Sequence, residues 1–175
     1  MRMKRISIAL LAIVASAVQL FAYVTPESGK VYRIHNVKSD KVISEDCIAR
    51  QLASVDAAGN DDFKQLWLLK ESNNGYTIQN AYSGQYLHHC AQQSTRIYPT
   101  GAEEAVMYLT QVNGTRYAIG QASGAYLHLD GSNNIVRWYD EANTGSQWQF
   151  EEVNVSSEAI SLLNPDLLNE LQFDE

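Results

Sequence analysis

Short stretches of alternating apolar and polar residues recur three times along the chain in the same order. YRIHNVKSDKVIS begins at Tyr32, YTIQNAYSGQYLHH at Tyr76 and YAIGQASGAYLHL at Tyr117, 44 and 41 residues apart. Each copy opens on a Tyr-x-Ile segment of strand period, crosses a polar turn at Asp40, Gly84 or Gly124, and runs into a second short strand. A loop rich in Asn, Gly, Asp or Ser follows, and each copy closes on an apolar strand: QLWLL at 65–69, VMYL at 106–109 and QWQF at 147–150. Three such four-strand units predict about twelve strands in all.

A unit of about 40 residues cannot bury its own apolar face, so the three copies must share one core. Closing them around an axis also removes exposed sheet edges. A propeller needs at least about four blades, and no helical period accompanies the repeats, so residues 31–153 are expected to form an all-β domain, a β-trefoil of three repeats. The period changes in 154–175. There Ile160, Leu163, Leu167, Leu168 and Leu171 suit one helical face, and Asn164-Pro165 suits a cap and first helical position. This pattern predicts a short helical C-terminal tail, which docks on the trefoil or on a protein partner, or begins a further region.

The first 22 residues have a different character. Arg2, Lys4 and Arg5 precede an apolar run from Ile6 to Val14 and the small residues Ala15, Ser16 and Ala17, the layout of a secretory signal peptide. Cleavage is expected after Ala17 or Ala22, which places the mature protein outside the cytoplasm as a secreted, periplasmic or cell-surface protein. No other segment has the length and apolarity of a membrane span. Losing residues 1–22 removes three of the 13 basic residues and none of the 20 acidic ones, moving the formal net charge from -7 to -10. With that charge and only scattered Lys and Arg, nucleic acid is not an expected partner. Export permits a Cys47–Cys90 disulfide without requiring one.

The repeats resemble the ricin-type β-trefoil lectin domain, whose repeats end in a Gln-x-Trp motif. Gln65-Leu66-Trp67 carries it intact; in the third repeat Trp148 holds the Trp position with Gln147 one residue late and Ser146 in the Gln place; the second repeat has Ala105-Val106-Met107. Trp67 and Trp148 are expected in the core, with the Gln amide serving backbone groups at a repeat boundary. The resemblance implies binding of a glycan or glycoconjugate through an Asp after the second strand and an aromatic ring that stacks on the sugar. The Asp position falls on Ser44, His88 and His128, so no repeat keeps it. The aromatic is best supplied by Trp138 and Tyr139 of the third repeat, with His128, Asp130, Asn133, Asn134 and Asn143 as polar companions. An ungapped alignment of RIYPTGAEEAVMYL with RWYDEANTGSQWQF sets Ile97 opposite Trp138 and Tyr98 opposite Tyr139.

His88-His89-Cys90 has the residue types of a metal site. However, strand alternation sends His88 and Cys90 to one side and His89 to the other, so at most two ligands converge locally where structural zinc takes four. No metal site and no cofactor are expected. There is no G-x-S-x-G, H-E-x-x-H or Gly-rich phosphate loop, and the acid pairs Asp61-Asp62, Glu103-Glu104 and Glu151-Glu152 fall in loops or at strand ends, so no catalytic residue is assigned. Three function classes are carried forward: a secreted carbohydrate-binding module, alone or as an accessory part of a glycan-processing system, a protein-interaction trefoil that has lost its sugar pockets, and, ranked last, an enzyme.

Overall fold

The computed structural model describes residues 22–90 and 97–156. Thirteen strands follow one another: β1 (Tyr23–Val24), β2 (Val31–Asn36), β3 (Val42–Asp46), β4 (Gln51–Val55), β5 (Leu66–Ser72), β6 (Gly75–Asn80), β7 (Tyr86–Leu87), β8 (Thr100–Gly101), β9 (Tyr108–Asn113), β10 (Arg116–Gly120), β11 (Tyr126–Leu129), β12 (Ile135–Trp138) and β13 (Gln147–Glu152). Single 3-10 turns at Phe63–Gln65 and Thr144–Ser146 lead into β5 and β13.

Six strands close a ring, β2–β5–β6–β9–β10–β13, with β13 returning to β2. At the β6/β9 seam the pairing shrinks to Tyr76 and Met107, whose amides and carbonyls exchange two 2.8 Å bonds. The hairpins β3–β4, β7–β8 and β11–β12 meet one another through Leu52 N–H to the Tyr98 carbonyl and Tyr98 N–H to that of Ile135. β1 adds to the outside of β13 through Tyr23↔Glu151 and Val24↔Phe150.

The core is the repeat superposed on itself. Ile34, Ile78 and Ile119 are buried at equivalent places, as are Ile43, Leu87 and Leu127. Trp67, Met107 and Trp148 fill the third set, and both indole N–H groups donate to the second strand of their own repeat, Trp67 to the Ile43 carbonyl and Trp148 to that of Leu127, each at 3.0 Å. The expected core placement of both tryptophans is what the structure has.

Side-chain amides pin the repeat boundaries. Asn36 donates to the Gly145 and Gln147 carbonyls, and Asn80 to those of Lys64 and Leu66. The third copy has Gly120 here, and the orphaned carbonyl, that of Val106, is taken instead by His89 Nε2 at 2.7 Å. Because a carbonyl only accepts, this His89 nitrogen carries a proton. One of the two adjacent histidines is thus a boundary pin. His89→Ala is expected to lower stability by about 1 to 2 kcal/mol by leaving that carbonyl without its donor, as measured by urea unfolding.

The all-β class agrees with expectation, but the helical C-terminal tail does not stand. The described residues contain no α-helix, and the chain leaves β13 through Val153–Ser156 without a regular element. The positions carrying the leucine pattern, 160–171, lie outside the described residues, as does almost all of the expected signal peptide. A 3.6-residue pattern over so short a segment is a weak basis for a helix, because isolated helices below about 12–15 residues are marginal in water. The fold class is therefore all-β, without an assigned tail helix. Cys47 and Cys90 are not bridged to each other; Cys47 Sγ faces Glu45.

Candidate functional site

The third-repeat hairpin pairs Tyr126 with Trp138 and His128 with Val136, so the pleat puts Tyr126, His128 and Trp138 on one face. Trp138 is 43 % exposed and lies over the imidazole of His128, with ring centroids 5.2 Å apart and planes 25° from parallel. His128 is 8 % exposed and fixed from behind: its Nδ1 is 2.9 Å from Ser146 Oγ, and a Cβ at position 145 would come within 2.6 Å of its Cε1, a place only glycine leaves open. Burial, joined by the Lys38 charge, holds the His128 pKa below the ordinary imidazole value against the pull of Asp130 and Asp140.

The late Gln147 explains this arrangement. Its amide still reaches the carbonyls of Glu141 (3.3 Å) and Ala142 (3.0 Å), as Gln65 reaches Asp56, so the loop anchor survives the one-residue shift. The shift hands the preceding position to Ser146, whose short hydroxyl fits beneath His128.

The structure divides the remaining expected residues. Asp130 is occupied by its own turn: Oδ1 accepts from the amides of Ser132 and Asn134, and Oδ2 from the Asn134 side chain. Burial alone would raise its pKa, but these bonds outweigh it and hold the carboxylate below its ordinary value. Asn133 sits at φ 62°, and Asn143 accepts from the Gly145 amide to start the 3-10 turn. These four side chains or backbones shape loops around the site. Tyr139 is 64 % exposed and carries the Arg137 guanidinium 5.7 Å from its ring centroid, separate from the Trp138–His128 stack.

Two groups on the Trp138 face were not singled out from the sequence. Tyr126 stands directly opposite Trp138, and the Glu141 carboxylate raises its phenol pKa through a side-chain hydrogen bond, with burial and charge adding to the effect. Asp140, next to Glu141, accepts the Ala142 amide at 3.0 Å. Adjacent acids in a loop look like ordinary solvated charge in sequence; only the folded hairpin shows that one of them acts on the cross-strand partner of Trp138.

The alignment of repeat 2 on repeat 3 also needs correction. Tyr86 pairs with Gly101 where Tyr126 pairs with Trp138, so Gly101, not Ile97, is the counterpart of Trp138. Tyr86 to Gly101 spans 15 residues against 12 from Tyr126 to Trp138, whereas Gly101 to Met107 spans 6 against 10 from Trp138 to Trp148. The two length changes nearly cancel, so an ungapped alignment conceals them. Tyr98 accordingly belongs with Ile135 in the core and is fully buried. A Cβ at Gly101 would meet the His88 ring at 3.3 Å, so in repeat 2 the imidazole lacks the aromatic cover it has in repeat 3.

The architecture, three repeats closing a six-stranded ring under three hairpins, is that of a β-trefoil. A family model described as ricin-type beta-trefoil lectin domain-like matches residues 17–97, and the resemblance carried by the Gln-x-Trp repeats is correct. Among solved structures, the chain is similar to the Macrolepiota procera ricin B-like lectin in complex with lactose (18 % identity, TM-score 0.64, 74 % of this chain and 100 % of that one). It is also similar to the Rhizoctonia solani agglutinin (20 %, TM-score 0.63, 75 % and 100 %). A third, the GlcNAcα1-4Gal-releasing endo-β-galactosidase from Clostridium perfringens, matches at 18 % identity and TM-score 0.63 over 74 % of this chain but 34 % of its own. At these identities the likeness establishes the fold. No curated protein matches the chain. No helix among the described residues is long and apolar enough to cross a membrane.

Proposed function

We propose that the protein is a secreted carbohydrate-binding module whose sugar site is the third-repeat face built on Trp138. The observation that carries this is the half-exposed indole held flat on a buried, hydrogen-bonded imidazole. A pyranose presents C–H groups on one face, and a ring fixed in orientation with its other side toward solvent suits that face at little ordering cost. Tyr126, opposite Trp138, and Glu141, which acts on it, are our candidates to meet sugar hydroxyls, a role the resemblance assigns to an Asp that no repeat keeps. Secretion is supported by the N-terminal leader; cleavage after Ala22 would leave Tyr23 first and β1 whole. The trefoil within an endo-β-galactosidase supports an accessory role in glycan processing as one setting for the module.

Affinity for a monosaccharide is expected to be weak, with a Kd of about 0.1 to 1 mM, because few apolar atoms are buried and each hydroxyl trades water for protein at small net gain. Titration of the purified protein with sugars that a glycan array selects is expected to lose all detectable binding in Trp138→Ala, while the melting temperature stays nearly unchanged. Unfolding of the variant, or binding that persists without the indole, would refute the site and favour the protein-interaction trefoil.

A further inference from the structure

We infer that the Trp138 face sorts sugars by charge and favours one bearing a protonated amine, an unacetylated 2-amino sugar, over its N-acetylated, neutral and acidic counterparts. The inference rests on the carbohydrate-binding proposal and specifies its ligand class.

Three observations converge. The exposed indole attracts cations placed over its ring, and two exposed acids, Asp140 and Glu141, follow it two and three residues on, Glu141 acting on Tyr126, the cross-strand neighbour of Trp138. Asp130 and Asp140 both act on His128, against the charge of Lys38, which acts on it more strongly. The imidazole below contributes no cancelling charge near neutral pH, since burial disfavours its protonation.

His128 also presents an unused polar atom. Its Nδ1 is engaged by Ser146, whereas its Nε2 has no hydrogen-bond partner among the described residues. In the tautomer that donates from Nδ1 to Ser146 Oγ, Nε2 is an acceptor, which matches the donors of an ammonium group. Of the nearby cations, Lys38 acts on His128, whereas Arg137 lies on the other face of the strand, over Tyr139. An acidic sugar would meet Asp140 and Glu141 directly and, after leader removal, a chain of net charge -10.

The test is calorimetric titration of the whole secreted protein at about pH 6.5, the ordinary histidine value, with that of His128 lying lower. The probes are a glucosamine oligomer, the matching N-acetylglucosamine oligomer, lactose and sialyllactose. The amine oligomer is expected to bind about five- to tenfold more tightly than the acetylated one at low ionic strength. That ratio should fall toward one in about 1 M salt, and should fall by about half without added salt in the Asp140→Asn, Glu141→Gln double variant, in which the indole and His128 Nε2 remain. Equal or tighter binding of the acetylated or neutral sugar, still lost in Trp138→Ala, would overturn the amine preference and leave the sugar site standing. A preference undiminished in the double variant would also overturn it. Absence of binding to every sugar on an array would overturn both.

Discussion

Trp67→Ala is expected to cost about 3 to 5 kcal/mol of folding stability, and Trp148→Ala about as much, read as a lowered urea midpoint with an unchanged m-value. Each indole is fully buried, and its volume lies where three repeats meet, so the cavity cannot collapse without moving strands of more than one repeat. Each substitution also strands a carbonyl, that of Ile43 or Leu127, whose donor is the lost N–H. The Trp138→Ala variant supplies the contrast: the same deletion at a half-exposed ring should leave the midpoint almost in place. A loss below about 1 kcal/mol at Trp67 would mean that the three copies do not share one core.

The repeats made the shared core legible because every copy has to present an apolar residue at the same step, so Trp67, Met107 and Trp148 could be matched by spacing alone. Hairpin register was not legible. It depends on loop lengths, and the two offsetting changes in repeat 2 set Ile97 rather than Gly101 opposite Trp138, and Tyr98 opposite Tyr139 rather than Ile135. Trp138 and His128 could be picked out separately, one as an aromatic peculiar to a single repeat and the other as the replacement for an expected Asp. Their stacking could not, since it follows from a diagonal across β11 and β12. The loop residues Asp130, Asn133, Asn134 and Asn143 were chosen for their polarity, yet Asp130, Asn134 and Asn143 commit their side chains to turn amides and Asn133 its backbone to a left-handed turn. Asx turns and ligand contacts draw on the same residue types.

A buried ionic cluster on the outer side of β2 should make the protein lose stability on acidification. Arg33 and His35 are 2 % and 1 % exposed, and one carboxylate oxygen of Glu151 serves both, at 3.0 Å and 2.8 Å. Tyr23 of β1 covers the imidazole edge-on, with centroids 5.4 Å apart, and Asp40 acts on it from the β2–β3 turn. Burial lowers the His35 pKa; the hydrogen bond and charge of Glu151 and the charge of Asp40 oppose this, while Arg33 reinforces it. The unfolded chain therefore takes up a proton near the ordinary histidine value of about 6.5, whereas the folded chain takes it up only at lower pH. Between those values the unfolded state holds more protons, so stability is full above about pH 6.5 and is lost as pH falls through the folded-state value. His128, lowered for the same leading reason, contributes with the same sign. His35→Gln, which retains a donor for Glu151 without titrating, should make the decline in melting temperature between about pH 7 and pH 5.5 shallower. Glu151→Ala is the more severe change, because among the described residues it leaves the Arg33 guanidinium with only the Gly59 carbonyl and Asn60 Oδ1 as partners. A loss of about 2 to 4 kcal/mol is expected at neutral pH, below the full cost of an orphaned buried charge because Glu151 itself is partly solvated. A pH-independent melting temperature in the wild-type protein would show that the cluster is open to water.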